Sequence, residues 1–183
     1  MVEIRQLRDL QRDDLKVADG YVSTARYRVR KAEITRAVCF TLDRQELSEP
    51  YEKRWTVSEE DFQRYRDVVG QGLSFAAYDG GCIAGVTIAE PAGWNRSLWI
   101  REFAISKPYR RQGLGRRLMD RVARHASKEG FRVLVCETQT TNVPAIDFYR
   151  SVGFEVGGID LSYYSNDDVE AGEVALFLKR KLE

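Results

Sequence analysis

The sequence predicts an α/β protein with a central mixed β-sheet of about six to seven strands flanked by helices. Three observations carry that expectation. Residues 98–130 read as a strand, a glycine turn and an amphipathic helix. Residues 131–138 are a continuous apolar run directly after that helix. They should form a buried strand parallel to the one before, since a helical crossover joins the two. Hairpin signals bracket this core: Asp79-Gly80-Gly81 between two apolar arms, and a closing pair of arms at 154–159 and 174–179. That order makes a mixed sheet with helices on its faces.

The elements follow in chain order. Residues 2–7 open with a short strand, and 10–18 form a short helix. Residues 21–30 alternate charge with Tyr and Val, which favours strand. A short apolar strand at 37–42 gives way to a polar stretch, 43–53, containing Pro50. Ser58-Glu59-Glu60-Asp61 is a capping box for a helix through about Val69. Phe62, Tyr65, Val68 and Val69 share its face, and Gly70 and Gly72 end it. Residues 73–78 and 82–89 are the arms of the first hairpin, and 91–94 lead into the strand at 98–105. Arg101 and Glu102 interrupt that strand, and Pro108 stops it because it has no N–H to give. The next helix starts at about Leu114. Leu114, Leu118, Val122 and Ala126 fall four apart, Met119 and Ala123 widen the stripe, and Gly130 supplies a left-handed end. Residues 143–149 are a further helix, with Asn142 as cap, Pro144 in the first turn and Gly153 beyond.

Composition narrows the function. The 183 residues suit one domain, 1–183, with a real core. Charged residues are 31% of the chain but nearly cancel to a formal +1, so any basic site is local. A nucleic-acid binder using the arginines at 110–124 is disfavoured by that balance. Cys39, Cys82 and Cys136 stand singly, which argues against a disulfide framework and against zinc, and their apolar runs suggest buried thiols. His125 is alone and cannot build a multi-histidine metal site. No apolar run reaches spanning length and no signal-peptide core opens the chain. The expectation is a soluble cytoplasmic protein without metal or membrane.

The chemistry concentrates at Arg110-Arg111-Gln112-Gly113-Leu114-Gly115-Arg116. A helix start carries unpaired N–H groups and partial positive charge, and glycine lets an anion approach the backbone. The turn therefore suits a pyrophosphate. Arg117 and Lys107 add charge nearby, and guanidinium forks suit phosphate oxygens. A nucleoside-triphosphatase loop would need Lys and Ser/Thr after its last glycine, but Arg116 and Arg117 stand there. A dinucleotide fingerprint would need a third glycine where Leu118 stands. What is left is Arg-x-x-Gly-x-Gly between strand and helix, or an ordinary strand–turn–helix with a solvated basic face.

That loop resembles the acetyl-CoA pyrophosphate loop of the GNAT superfamily of N-acetyltransferases, with Arg110, Gly113 and Gly115 at its fixed positions. A second run is similar to the same family: Asn142, Ala145, Phe148-Tyr149 and Gly153-Phe154 match N-x-x-A-x-x-F-Y-x-x-x-G-F. The resemblance covers about residue 73 to the end of the chain. Glu137-Thr138-Gln139, Asn142, Gly157, Asp160 and Tyr164 further look like the streptothricin acetyltransferase branch.

The resemblance implies a GNAT fold and an acyltransferase with acetyl-CoA as co-substrate and no metal. It implies that backbone groups of Phe103, Ala104 and Ile105 pair with the pantetheine arm like an added strand, the strands at 98–105 and 131–138 splaying to admit it. Amides of Arg111 to Arg116 would hold the pyrophosphate, and a backbone N–H near Ile105 would polarise the acetyl carbonyl. Asn142 would contact pantetheine, with Ala145, Phe148 and Tyr149 near the thiol. Tyr149 would be the acid for the leaving thiolate, since a phenol at roughly 10 lies a little above a thiol at roughly 8.5; otherwise it is a packed helix aromatic. The base stays open among Glu102, Glu137 and a water relay, a surface ion pair being the plain alternative for both carboxylates. Asp160, Tyr163 and Tyr164 would line the acceptor pocket. The acidic run 166–173 reads better as a solvated hairpin tip than as a cation attractor. The implied partner is a small-molecule amine, a streptothricin-like antibiotic being the specific expectation, or a protein or peptide amine. A homodimer is left open, and a non-catalytic acyl-CoA-binding domain is the reading of another class.

Overall fold

The structure, a computed structural model, describes residues 1–183. Nine strands and four α-helices form two compact units. The first unit comprises Met1–Asp19, Arg54–Cys136 and Arg180–Glu183, and the second Gly20–Lys53 and Glu137–Lys179.

In the first unit, β1 (Glu3–Gln6) pairs antiparallel with β4 (Phe75–Asp79). Gly80 and Gly81, at φ +57° and +92°, turn β4 into β5 (Cys82–Ala92). These left-handed angles are why the sequence places glycines there. β5 pairs antiparallel with β6 (Ser97–Ile105), and β6 pairs parallel with the start of β7 (Val133–Gln139). The crossover between them is α2 (Leu114–Lys128). Its expected stripe is buried throughout: Leu114, Leu118, Met119, Val122, Ala123 and Ala126. Gly130 takes φ +80° just beyond it, as a left-handed end requires. On the opposite face, α1 (Glu59–Val69) begins at Ser58, whose Oγ accepts the Asp61 N–H at 3.0 Å. Its Val68 and Val69 pack with Leu7, Leu10, Leu15, Ala76, Val86 and Ile88. Residues 10–18 settle as a single 3-10 helix, Arg12–Val17.

In the second unit, β2 (Gly20–Ile34) and β3 (Ala37–Arg54) form a two-stranded arm. The sequence suggested a short strand at 37–42 and a polar stretch after it. Instead β3 is one strand of 18 residues running through Pro50. On a two-stranded ribbon proline removes no ladder bond on its open side, and the inward residues of β3 include Asp43, Gln45 and Lys53, so no apolar alternation marks the strand. α3 (Val143–Ser151) follows β7. β8 (Glu155–Asp160) and β9 (Ala175–Lys181) close the chain as an antiparallel pair, with α4 (Asp168–Ala171) between them. The main sheet has seven strands in the order β1-β4-β5-β6-β7-β9-β8, and β2-β3 is separate.

The cysteine expectation needs correction. Cys136 is buried, but Cys39 and Cys82 are exposed. Cys39 lies on the solvated arm and Cys82 at the hairpin turn, so an apolar neighbourhood in sequence did not become one in space.

Leu118 is fully buried beneath α2. Leu118→Ala should destabilise the fold by about 2–5 kcal/mol, read by urea denaturation, because the cavity cannot collapse between a helix and a sheet.

Candidate active site

The first unit brings together Glu102, the end of β6 and the loop into α2. Register shifts between Ile88 and Ala89 of β5, which face Glu102 and Ile100 respectively. Arg101 is therefore an extra residue, a β-bulge. The parallel ladder with β7 runs from Ser97↔Val133 to Ile100↔Cys136, and the bulge is the next residue. Arg101 is held there. Its Nε meets Glu90 at 2.5 Å and its guanidinium lies 4.8 Å from the centre of the Trp99 ring. Arg64 of α1 joins the same Glu90 carboxylate at 2.6 Å. Burial works against the ionised Glu90, but the hydrogen bonds from Arg64 and Arg101 outweigh it and lower its pKa.

Glu102, one residue beyond, is in the opposite situation. Burial pushes its carboxyl up to about 7, against a single opposing hydrogen bond from the Phe103 N–H at 3.1 Å. The desolvation comes from the α1 side. Ala104, on the same face of β6, packs into the core cluster that includes Tyr65, and the Glu102 charge reaches Tyr65. A carboxyl poised near neutrality can take a proton there, as a general base must.

Beyond Ile105 the loop is fastened at several points. The Ser106 N–H donates to the Ala84 carbonyl at 2.9 Å, and Tyr109 donates its hydroxyl to Asp79 at 2.9 Å. Arg110 Nε donates to the Ile105 carbonyl at 2.7 Å, and Gln112 to the Pro108 carbonyl at 2.7 Å. Arg111 and Gly113 take left-handed φ of +59° and +78°, and a Cβ at Gly113 would have nothing within 4 Å. Alternating left- and right-handed residues turn successive N–H groups toward one side, which makes an anion nest. The first main-chain bond of α2 runs from Arg117 to Gly113 at 3.1 Å, so Leu114 and Gly115 carry the amides of the opening turn. Arg117 is turned away, toward the Val2 carbonyl at 3.3 Å. The residues present thus fit a diphosphate through their amides and their open glycine.

The second unit holds Asn142, Ala145, Phe148, Tyr149, Glu137, Asp160 and Tyr164. Asn142 Oδ1 accepts the Ala145 N–H at 3.3 Å and caps α3. Tyr149 is 7% exposed, its ring 5.5 Å from Phe148 and 5.2 Å from Phe154. Asp160 Oδ1 accepts the Ser162 N–H at 3.0 Å and shapes the turn after β8. The Tyr164 hydroxyl donates to Glu137; burial first, then that bond and the Glu137 charge, raise the Tyr164 pKa.

The acidic run 166–173 is not simply a solvated tip. Asp168 is 2% exposed and accepts the Tyr164 N–H at 2.9 Å and the Ser165 hydroxyl at 2.7 Å. Burial works against its ionisation, but these bonds win and its pKa falls. Glu173 collects the Lys53 ammonium, the Tyr51 hydroxyl at 3.1 Å and the Thr141 hydroxyl at 3.3 Å. Sequence reading missed Tyr21, Tyr51, Lys53 and Thr141. Tyr21, Tyr51 and Lys53 meet partners 120 to 122 residues away and Thr141 meets Glu173 32 residues on, so no local pattern could have signalled them. No group of three or more His, Cys, Asp or Glu could hold a metal, and no helix is long and apolar enough to cross a membrane.

The acetyltransferase (GNAT) family matches residues 40–154. Streptothricin acetyltransferase A of Bacillus subtilis (strain 168) is 30% identical over 138 residues, 75% of this chain and 78% of its own. The crystal structure of nourseothricin acetyltransferase superposes with a TM-score of 0.72 at 25% identity, covering 100% of this chain and 99% of that one. A Bacillus anthracis str. Ames chain crystallised with acetyl coenzyme A has the same fold, with a TM-score of 0.75 at 23% identity over 100% and 98% of the two chains. The chain belongs to the acetyltransferase (GNAT) family and is an acyltransferase of the N-acetyltransferase type.

Proposed function

We propose that this protein transfers the acetyl group of acetyl-CoA to a primary amine of a small molecule, with a streptothricin-like antibiotic as the acceptor. The observation that carries this reading is the bulge at Arg101 followed by the nest at Arg111 and Gly113. One ends a strand ladder beside a carboxyl, and the other offers amides to a diphosphate. The relatives above supply the acceptor class. A ribosomal-protein alanine N-acetyltransferase of Escherichia coli (strain K12) is 37% identical, but over only 65 residues, 36% of this chain and 44% of its own. That shorter overlap makes a peptide acceptor the second reading.

In this reading the amides of residues 111–116 bind the pyrophosphate, with Arg110 bracing the loop. The backbone of Phe103, Ala104 and Ile105 takes the pantetheine arm in strand fashion, and Asn142, Ala145 and Phe148 contact it further along. Glu102, in its ionised form, takes a proton from the acceptor ammonium. The freed amine attacks the acetyl carbon, the C–N bond forms and the C–S bond breaks. Tyr149 gives its proton to the departing sulfur, and the surplus proton on the new amide nitrogen passes through water to restore the phenol. Glu137, Asp160 and Tyr164 hold the acceptor.

Gly113→Glu should raise the KM for acetyl-CoA at least roughly tenfold, since a carboxylate would enter the nest and repel the diphosphate. Unchanged KM in steady-state assays would remove the loop from the cofactor site. Tyr149→Phe should lower kcat by about 10²-fold with little change in acetyl-CoA affinity, measured by thiol release. Glu102 works as the carboxylate, so kcat/KM should rise with pH through about 7. Glu102→Gln should flatten that limb and leave a low residual rate; a preserved limb would assign the base elsewhere.

A further inference from the structure

The second unit contains an ammonium already seated in a prepared site, and it belongs to the chain itself. Lys53, near the end of β3, places Nζ on Glu173 Oε1 and lies 5.9 Å from the centre of the Tyr164 ring. The other Glu173 oxygen accepts the Tyr51 and Thr141 hydroxyls. Thr141 Oγ1 is also 2.6 Å from the Tyr21 hydroxyl. With the Thr141 proton directed at Glu173, Tyr21 must donate to Thr141. The hydroxyl protons of Tyr51 and Thr141 then both point at Glu173, with Tyr21 behind Thr141. Tyr164 is bound in turn to the second carboxylate, Glu137. The pair is only partly exposed, with side chains at 32% for Lys53 and 21% for Glu173, so its attraction is less screened than that of a surface pair.

We infer that Glu173, with Tyr51, Tyr164 and Thr141 around it, is a subsite for a second, non-reacting ammonium of the acceptor, and that Lys53 occupies it until the acceptor arrives. The inference rests on the proposed amine acetyltransfer and extends it to the acceptor's class: an aliphatic diamine rather than a monoamine. The restriction to a non-reacting group follows from protonation. A carboxylate with hydroxyls oriented on it favours a charged ammonium, whereas the attacking amine must be neutral. A lysine ammonium is the same chemical group as the proposed ligand, and exchanging one for the other keeps Glu173 paired throughout. Carboxylate and aromatic face together select a primary ammonium on an aliphatic stem. Lys53 thereby makes acceptor binding weaker than the subsite alone would allow, a contact that restrains the enzyme at rest.

The test compares kcat/KM for cadaverine with that for pentylamine at saturating acetyl-CoA. The two share a reacting amine and differ in the second ammonium. Wild type should prefer cadaverine. Lys53→Met should raise that preference roughly 3- to 10-fold, and Glu173→Gln should bring it to within about twofold of parity, with the KM for acetyl-CoA unchanged in both. A preference unaltered by Glu173→Gln, or lowered by Lys53→Met, overturns the inference while leaving amine acetyltransfer intact. Absence of turnover with either amine in wild type overturns amine acetyltransfer and this inference together. Lys53→Met removes only a partly exposed cation, so its result stands on its own if Glu173→Gln does not fold.

Discussion

Arg101 has no counterpart on β5, and the organisation of the first unit follows from how that surplus residue is held. A bulge bends and twists its strand, and it persists only when its neighbours favour it over the regular ladder. Here the neighbours are Glu90 on β5, Arg64 on α1 and the Trp99 ring. Two guanidiniums on one half-buried carboxylate form a network whose members orient each other, unlike an isolated surface pair. The bulge also fixes the phase of the residues after it. Glu102 and Ala104 fall on the face toward α1, while Ile105 packs with Leu114 on the other. Without the extra residue, every side chain from 102 onward would change faces. The carboxyl would leave the apolar surroundings that bring its pKa near neutrality.

Glu102 and Glu173 show how one residue type is given two properties by its surroundings. Glu102 is desolvated and receives a single backbone N–H, so its neutral form is favoured and its proton is exchangeable near pH 7. The same shift has a cost in stability. With the folded pKa raised from 4.5 to about 7, the stability Glu102 contributes is full below 4.5 and is lost as pH rises through about 7. Glu173 instead accepts two hydroxyls and pairs with an ammonium. In the proposed reaction the first environment would suit proton transfer and the second would suit a cation.

Much of the fold was legible because its signals are local. The stripe of α2, the Ser58 and Asn142 caps, the Gly80-Gly81 turn and the parallel β6–β7 pairing each depend on a few adjacent residues or on one crossover. The nest was legible for the same reason, since Gly113 and the helix start adjoin in sequence. The arm was not: the first five residues of β3 are exposed, and where burial does alternate, from Asp43 on, the inward residues include the polar Asp43, Gln45 and Lys53, so no apolar period marks the strand. The Glu173 cluster was hidden by its construction from residues 21, 51, 53, 141 and 173, which no spacing rule links. The depth of Asp168 was hidden by its setting in a run of acids, where composition suggests solvent and only the Tyr164 and Ser165 bonds reveal otherwise.

The loop before α2 shows where composition misdirects. Its density of arginines suggests that side chains supply the anion site. In the structure, however, Arg110 spends its Nε on the Ile105 carbonyl and Arg117 reaches the Val2 carbonyl. Both act as braces, one to the end of β6 and one to the residue before β1. The fixed positive ends are the amides, and they need bracing because a left-handed residue such as Arg111 is strained without glycine. Positive charge in side chains alone would be mobile, and binding would have to order it. Amides locked by carbonyl-bound arginines are ordered in advance, so in the proposed function little conformational freedom would be lost on binding the diphosphate.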